Sequence, residues 1–570
     1  MSETSDIFTI NKNNVLSRYN RLSSNRDYQK NIISEAIDGL NSNCDTVVEL
    51  PTGMGKTMVF SPIAAECAES NKKVAILSAT KQGQMRLQSA IKQFLDGTEP
   101  TVVFGTSNYV CPLLNGKAQF WCCHDNKENY CKPEKLDCDI IKLEDVQQDS
   151  NLVVSNFSKF LLAKTKKQYD YIILDDSHSF ENTKDSAFQL SITCEPLITF
   201  YDRGISNSNL QTFVESFLNI FSESFSRDVD EGQLDGNVSQ EHIKEFSELI
   251  TKNNEQAIKD AIISLQGRVK QLCWDVFHFV KRAQRATQYQ FYIRKDFYER
   301  DMLEYGELIS RTDDKTLANI INKRFGDARV IFATATPGNL NFHANMCTHR
   351  NYDEGCLRKT PENDSVSDVS NWFKRLKILV VTDILDTRKH DSFNQALSLS
   401  QDILQTFNEK TLILFKNYRD QKLAKEKLEK VLSPDQLYFI DSITKDTDVV
   451  EDIANQKNVS LASASSTVWE GANIKNLKIA IVVSVPFIRP TIGKKQNYIF
   501  GEGKMLIRLQ QGIGRIIRCP EDYGVAILTE SRFRDYVKKK TFSNLLQEQI
   551  EFVTTEHVIP TIKKSFEEWK

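Results

Sequence analysis

The sequence lacks the long apolar run that a membrane-spanning helix requires. None of its segments approaches the roughly 18 consecutive apolar residues that cross a bilayer. The first residues, MSETSDIFTINKNN, also lack the basic start and apolar segment of a secretory leader. We therefore expect a cytoplasmic protein with no membrane partner.

A strong charge of either sign is also missing. The formal net charge is −3 over 570 residues, with 40% hydrophobic and 26% charged residues. This balance neither favours nor excludes nucleic acid, because a binding channel can be locally basic on an acidic protein. We find no internal repeat, low-complexity tract or appended nuclease. The composition is that of an ordinary globular protein with roughly three or four domains.

Cysteine is sparse outside one segment. Of 12 cysteines, five lie within residues 111–138, CPLLNGKAQFWCCHDNKENYCKPEKLDC. Because the cytoplasm keeps thiols reduced, such a cluster favours a metal site over disulfides.

A phosphate-binding loop is predicted where TVVEL, at 46–50, ends and PTGMGKT begins. Gly53 and Gly55 allow backbone N–H groups to approach phosphate oxygens, Lys56 supplies a positive charge, and Thr57 offers a hydroxyl to Mg²⁺. A strand before the loop and a helix after it complete the pattern.

The loop departs from the general pattern G-x-x-x-x-G-K-[ST], which has glycine where Leu50 stands. The form present, P-T-G-x-G-K-T with Thr52 second, is the one that helicases use. The alternative is a glycine-rich turn that happens to precede a lysine.

An acidic motif follows a second apolar strand in YDYIILDDSHSF, where Asp175, Asp176 and His178 come after Tyr171–Leu174. Asp175 is expected to hold Mg²⁺ and Asp176 to orient and deprotonate the attacking water. Alone, two aspartates after a strand are more often a simple strand end. The phosphate loop makes the catalytic interpretation the better one.

Further segments narrow the prediction beyond an ATPase. VIFATATPG at 330–338 ends in Thr334 and Thr336, small hydroxyl residues suited to relaying the nucleotide state. In QQGIGRIIRCPEDYG at 510–524, Arg515 and Arg518 are three apart, so both project from one helix face toward a shared anion. A solvated basic helix face is the alternative.

Taken together, these segments resemble the XPD/DinG-like iron-sulfur branch of the superfamily 2 DNA helicases. The resemblance runs from RDYQ, at Arg26–Gln29, to about Phe533. Its branch-specific marks are FGTSNYVC at 104–111, NLVVSNFSKFLL at 151–162, the W-E-G triplet at 469–471, Pro486-Phe487, and G-R-x-x-R followed by D-Y-G.

The resemblance implies an iron-sulfur cluster, of the 4Fe-4S type, held by four of the five clustered cysteines. Cys111 matches the N-Y-x-C element, Cys131 and Cys138 are the natural third and fourth ligands, and the second is Cys122 or Cys123. Zinc on the same residues, or a domain without metal, remains open because spacing does not settle metal identity.

The resemblance also implies an α/β fold with two RecA-like parallel-sheet motor domains, a small inserted iron-sulfur domain and an inserted helical arch. Motor domain 1 is expected at 1–104, 151–205 and 287–360, the cluster domain at 105–150, the arch at 206–286, and motor domain 2 at 361–570. The alternation of Tyr289, Phe291 and Ile293 predicts a strand that packs on the motor core. The alternative for this basic, aromatic run is a nucleic-acid contact.

The implied activity is an ATP-dependent DNA helicase that moves 5′-to-3′ on single-stranded DNA and unwinds forked duplexes, with ATP and Mg²⁺. The catalytic candidates are Lys56, Asp175, Asp176, Gln511, Arg515 and Arg518. The nucleotide-binding candidates are Arg26, Gln29, Thr52, Gly53, Gly55, Lys56, Thr57, His178, Glu470 and Gly471, with Thr57 and Asp175 on Mg²⁺.

Three departures from the family pattern bear on turnover. Asp176 stands where the family has glutamate, Asn473 replaces an aspartate after W-E-G, and Phe157 replaces a histidine. Two other functions therefore compete with the helicase: a translocase that remodels nucleoprotein without unwinding, and a catalytically weakened nucleic-acid binder or redox sensor.

Overall fold

The computed structural model describes most of the chain. The described residues are 9–22, 26–50, 54–97, 99–105, 108–111, 116–117, 138–162, 167–228, 235–294, 306–334, 344, 347–350, 352, 357–360, 372–440, 447–463, 474–486, 505–506, 508–519, 521–538 and 544–569.

The first part of the chain alternates helices with short strands. Its strands are nearly continuous runs of buried apolar residues, as expected for a parallel sheet covered on both faces. In chain order the elements are α1 (Lys12–Asn20), α2 (Asp27–Asn41), β1 (Asp45–Glu49), α3 (Lys56–Glu69), β2 (Val74–Ser78), α4 (Lys81–Lys92), β3 (Thr101–Val103), β4 (Val110–Cys111), β5 (Gly116–Lys117), α5 (Asp139–Asp149), β6 (Leu152–Asn156), α6 (Phe157–Leu162), β7 (Tyr171–Asp175) and α7 (His178–Ala187).

An inserted region follows, in which long amphipathic helices are combined with four strands. Its elements are β8 (Gln189–Thr193), α8 (Cys194–Asp202), α9 (Ser208–Arg227), β9 (Asp235–Asn237), α10 (Gln240–Glu248), α11 (Glu255–Ser264), α12 (Gly267–Ala283), β10 (Tyr289–Arg294) and β11 (Glu307–Thr312). The strands pair antiparallel in the order β8-β11-β10-β9.

The inserted sheet differs from our expectation. Strands β8, β10 and β11 were expected within motor domain 1, but they pair with one another and bury their apolar side chains against the helices of the inserted region. Phe291 of β10 contacts Phe279 of α12, with ring centroids 5.5 Å apart. The predicted strand is present, but it packs on the inserted helices instead of the motor core.

The chain then returns to the first sheet with α13 (Asp314–Phe325), β12 (Arg329–Thr334) and β13 (Leu357–Thr360). This sheet has seven parallel strands in the order β13-β1-β12-β7-β2-β6-β3. Strand β12 lies between β1 and β7, and its Thr334 pairs with Glu49 at the carboxyl end of β1. The ends of these three strands therefore meet at one edge, which is where α/β sheets place their ligands.

The last part of the chain forms a second sheet of seven parallel strands in the order β16-β17-β15-β18-β19-β14-β20. Its elements are β14 (Leu376–Val381), α14 (His390–Thr406), β15 (Thr411–Phe415), α15 (Tyr418–Leu428), β16 (Leu437–Phe439), α16 (Thr447–Gln456), β17 (Val459–Ser463), β18 (Ile479–Val482), β19 (Gly524–Leu528), α17 (Phe533–Val537), α18 (Asn544–Gln547), β20 (Ile550–Val553) and α19 (Thr555–Trp569). The predicted α/β fold with two parallel-sheet domains is confirmed. Within the described part of the chain, the structure contains no helix with the length and apolarity to cross a membrane.

Candidate nucleotide site between the two parallel sheets

The phosphate loop enters α3 through a left-handed glycine. Gly55 has a φ of 77° and immediately precedes Lys56, the first residue of α3. A Cβ atom at Gly55 would collide with the side-chain amide of Gln29. Both the backbone conformation and the close approach thus require glycine here. Thr57 lies half-buried in the first helical turn, while Thr52 and Gly53 lie outside the described residues.

A hydrogen-bonded group beneath the loop holds its backbone. The Gln29 amide donates to the carbonyl oxygen of Met54 at 2.8 Å, and the Tyr28 hydroxyl donates to the same oxygen at 3.0 Å. The hydroxyl of Tyr19 donates to the side-chain oxygen of Gln29. Gln29 is only 4% exposed. It therefore supports the loop, and direct nucleotide binding by this residue stays a prediction.

Arg26 lies at the junction between the two sheets. Its guanidinium donates to the Tyr28 hydroxyl at 2.9 Å and lies 5.9 Å from the ring centroid of Trp372, just before β14. Tyr19, Tyr28 and Trp372 were not predicted. Tyr28 falls inside the RDYQ element, but no sequence signal marks the other two, since only the fold brings them to Gln29 and Arg26.

The acidic motif faces the loop lysine. Asp175 ends β7, and Asp176 follows with a φ of 51°, a left-handed conformation that aspartate tolerates better than most residues. The ammonium nitrogen of Lys56 lies 3.5 Å from a carboxylate oxygen of Asp176, and the two side chains are 10% and 44% exposed. The predicted lysine and aspartate are therefore brought together.

The two aspartates titrate differently. Burial, with the neighbouring charge of Asp176, raises the pKa of Asp175 to about 7. Burial also favours the neutral form of Asp176, but Lys56, His178 and Arg515 lower the pKa of Asp176 below its ordinary value. Asp176 is thus the ionised member of the pair. A divalent cation fits here, because it would favour the charged form of Asp175 as well.

His178 connects this motif to both of its neighbours. Its Nδ1 lies 3.3 Å from the hydroxyl of Thr334, and its Nε2 lies 2.5 Å from the amide nitrogen of Gln511. With the Gln511 amide as donor, Nε2 accepts, and Nδ1 carries the proton that it donates to Thr334. His178 and Gln511 are 333 residues apart, and the contact joins the two parallel-sheet domains.

The two predicted arginines occupy different surroundings. Arg515 is 4% exposed and close enough to Asp176 to lower the pKa of that carboxyl. Arg518 donates through Nε to the carbonyl oxygen of Arg515 at 3.3 Å, and its backbone N–H donates to Asp522 at 2.8 Å. Burial lowers the pKa of the Arg518 guanidinium, while the charge of Glu451 opposes this effect. Arg515 is thus the arginine that acts on the acidic motif.

A further ion pair across the two domains was missed by the sequence analysis. A guanidinium nitrogen of Arg86 on α4 lies 2.9 Å from a carboxylate oxygen of Glu451 on α16. The positive charge of Arg86 also opposes the rise in the pKa of Asp175 that burial causes. Neither residue belongs to a recognisable motif, so no signal in the sequence could have paired them.

The remaining predicted site residues are only partly described. Cys138 is buried and immediately precedes α5, and Cys111 ends β4. Cys122, Cys123 and Cys131 lie outside the described residues, as do Thr336, Glu470 and Gly471. Predictions for these residues stay predictions.

Comparisons with known proteins agree with this geometry. Residues 23–200 match the family described as type III restriction enzyme, res subunit, and residues 400–549 match the helicase C-terminal domain. A probable ATP-dependent helicase of Methanocaldococcus jannaschii is 22% identical over 648 aligned positions, which cover 96% of this chain and 97% of the relative.

Solved structures give the same picture of the fold. An XPD helicase aligns with a TM-score of 0.61 at 15% identity, covering 94% of this chain and 100% of its own. Xpd4 of S. tokodaii aligns with a TM-score of 0.55 at 14% identity, covering 93% and 100%. The chain thus has a fold similar to that of the XPD helicase structures, and its residues 400–549 match a helicase C-terminal domain.

Proposed function

We propose that the protein is an ATP-dependent DNA helicase that moves 5′-to-3′ on single-stranded DNA and unwinds forked duplexes. The observation that carries the proposal is the contact between His178 and Gln511, with 2.5 Å between their nitrogens, because it links the acidic motif to the second parallel-sheet domain. A motor needs such a link for nucleotide turnover to change the relation between its two halves.

In the proposed mechanism, Gly55 and the start of α3 bind the phosphates, and Lys56 neutralises charge on the terminal one. Thr57 and Asp175 would hold Mg²⁺, which would supply polarisation of the terminal phosphoryl group. Asp176 orients the attacking water and accepts its proton.

The second domain contributes Arg515 to the charge that develops on the terminal phosphate. An arginine supplied from a separate domain makes hydrolysis depend on the domains being closed. His178 lies between Thr334 and Gln511 and positions the acidic motif against the second domain. Closure and reopening of the two domains then move a nucleic-acid strand bound across both.

The preference for DNA rests on the likeness to the XPD helicase structures and on the branch-specific motifs. Backbone contacts should dominate binding, so it should weaken strongly with added salt and show little sequence preference. We also propose a 4Fe-4S cluster on Cys111, Cys131, Cys138 and one of Cys122 and Cys123. Anaerobic purification with iron and sulfide analysis tests it, and zinc without iron would support the alternative metal.

The test of the motor uses duplexes with 5′ or 3′ single-stranded tails, made of DNA or RNA, with strand separation and ATP hydrolysis measured together. We expect unwinding of 5′-tailed DNA and none with Lys56→Ala, while Lys92→Ala, an exposed lysine on the same domain, keeps full activity. Retained unwinding in Lys56→Ala would refute the proposal. Unwinding of 3′-tailed duplexes instead would show that the protein moves 3′-to-5′.

A weaker enzyme is the second candidate, because Asp176 has a shorter side chain than the glutamate of related helicases. DNA-stimulated hydrolysis without strand separation would indicate a translocase. Nucleotide binding without hydrolysis on any DNA or RNA would indicate a non-catalytic binder.

A further inference from the structure

A second group of metal-ligating side chains lies in the inserted region, between α9 and α10. Single ligand atoms of Glu223, His242 and Glu245 lie within 4.8 Å of one another. Glu223 is on α9, whereas His242 and Glu245 share one face of α10 at a spacing of three residues. None of them belongs to the nucleotide site.

His242 is the residue that makes this more than an acidic surface. It is 2% exposed, and its Nε2 has no hydrogen-bond partner among the described residues. Buried polar groups normally find partners, because leaving one unsatisfied destabilises the fold. The buried nitrogen therefore calls for a ligand that the described side chains do not supply.

The other nitrogen of His242 is firmly held. Nδ1 lies 2.7 Å from a carboxylate oxygen of Asp228 and 2.9 Å from the hydroxyl of Ser239. The same Asp228 oxygen accepts from the hydroxyl of Ser224 at 2.6 Å and from the backbone N–H of Ser239 at 2.9 Å. These hydrogen bonds hold the Asp228 carboxyl in place behind the ring of His242.

The hydrogen bond between Asp228 and His242 Nδ1 fixes the histidine tautomer. With Nδ1–H donating to the carboxylate, Nε2 carries the lone pair, and the ring is held in one orientation. A carboxylate behind a histidine in this way is the usual support of a metal-bound imidazole. Because Nδ1 is occupied by Asp228, Nε2 is the nitrogen left to join the carboxylates of Glu223 and Glu245 in a set of three protein ligands.

We propose that Glu223, His242 and Glu245 bind a divalent transition-metal ion, with Zn²⁺ as the natural occupant, and that the ion clamps α9 to α10. Imidazole with carboxylates suits Zn²⁺ and its first-row neighbours, whereas Mg²⁺ and Ca²⁺ prefer oxygen ligands alone. Bonds of about 2.0–2.2 Å draw the ligand atoms closer together than 4.8 Å. The exposed Glu223 side chain has the freedom to close that gap.

The test uses the full chain without nucleotide and Co²⁺ as the probe. Cobalt on nitrogen and oxygen ligands shows weak visible bands, whereas thiolates add intense charge-transfer absorption, so the 111–138 cysteines are distinguished. We expect one equivalent of Co²⁺ without thiolate absorption. Glu245→Gln and Glu223→Gln should weaken it at least about tenfold, and Asp228→Asn about 10–100-fold.

Glu248→Gln, an exposed acidic residue on the same helix, is the matched control and should bind Co²⁺ as the wild type does. Addition of Zn²⁺ should raise the Tm of the wild type and of this control, but not of Glu245→Gln. Each variant should have the wild-type Tm in chelator, which excludes misfolding as the cause. Unchanged Co²⁺ affinity in both Glu223→Gln and Glu245→Gln would overturn the proposal.

Discussion

Gln511 and His178 place their side-chain nitrogens 2.5 Å apart across the boundary between the two parallel-sheet domains. This contact brings Gln511, three residues before the G-R-x-x-R motif, to the acidic motif of the first domain. It is a direct contact through which a change in one domain can affect the other.

The first prediction concerns this pair. Gln511→Ala and His178→Ala should each lower DNA-stimulated kcat by about tenfold to a hundredfold, because the acidic motif loses its positioning against the second domain. The double variant should be little worse than the poorer single variant, since one contact is lost in all three. His557→Ala, an exposed histidine of the second domain, is the control. Additive losses would show that the two residues act separately.

The second prediction concerns Asp176. Asp176→Asn should lower kcat by about 10²–10⁴-fold, because the amide cannot accept a proton from water. Asparagine tolerates the left-handed backbone of this position, so the Tm should stay near that of the wild type. Asp260→Asn, at an exposed site on α11, should leave both unchanged. Substantial hydrolysis by Asp176→Asn would mean that another group activates the water.

The third prediction follows from the pKa of Asp175, which is raised to about 7 mainly by burial. Between the ordinary pKa of an aspartate, near 4, and pH 7, the folded chain holds a proton that the unfolded chain has lost. The contribution of Asp175 to the free energy of unfolding is therefore fully present at low pH, and it is lost as the pH rises toward 7. Asp175→Asn should remove that loss.

The measurement is the Tm of both proteins from pH 4 to 8, in chelator and without nucleotide. The Tm of Asp175→Asn relative to wild type should increase between pH 4 and pH 7 and then level off. A constant difference across this range would contradict the raised pKa. Mg²⁺ with nucleotide should reduce the difference at high pH, because the cation favours the ionised carboxylate.

The fourth prediction separates backbone strain from steric conflict in the phosphate loop. Gly55 and Gly204 both have positive φ values, 77° and 84°, so alanine at either should cost about 1–2 kcal/mol. An added Cβ at Gly55 would meet the side-chain amide of Gln29, whereas an added Cβ at Gly204 would meet nothing within 4 Å. Gly55→Ala should thus lose nucleotide binding, while Gly204→Ala should keep it. Isothermal titration with ATP analogues measures this, and equal binding by both variants would contradict the steric argument.

The local motifs could be predicted because each is confined to a few consecutive residues. The loop before Lys56 is recognisable from its glycines. The two aspartates after β7 are recognisable because they follow a run of apolar residues typical of a buried strand. The convergence of their ends follows from parallel pairing, which the structure confirms through β12 between them. The two parallel-sheet domains were predicted from the resemblance to the XPD/DinG-like helicases.

Long-range pairing explains what was missed. Strand β8 pairs with β11, which begins more than a hundred residues later, and β9 contributes only three residues, Asp235–Asn237. Alternation of side chains identifies a strand but does not name its partner. For the same reason, the Arg86–Glu451 ion pair and the Tyr19–Gln29 hydrogen bond appear only in the folded chain.

In the proposed mechanism, the 3.5 Å ion pair between Lys56 and Asp176 restrains ATP hydrolysis while no nucleotide is bound. While the Lys56 ammonium is paired with the Asp176 carboxylate, that carboxylate is not available to accept a proton from water. The terminal phosphate of a bound nucleotide would attract the Lys56 ammonium, so the Asp176 carboxylate would be released when its substrate is present. The two side chains that the proposed mechanism uses for hydrolysis would thus also keep the site inactive when it is empty.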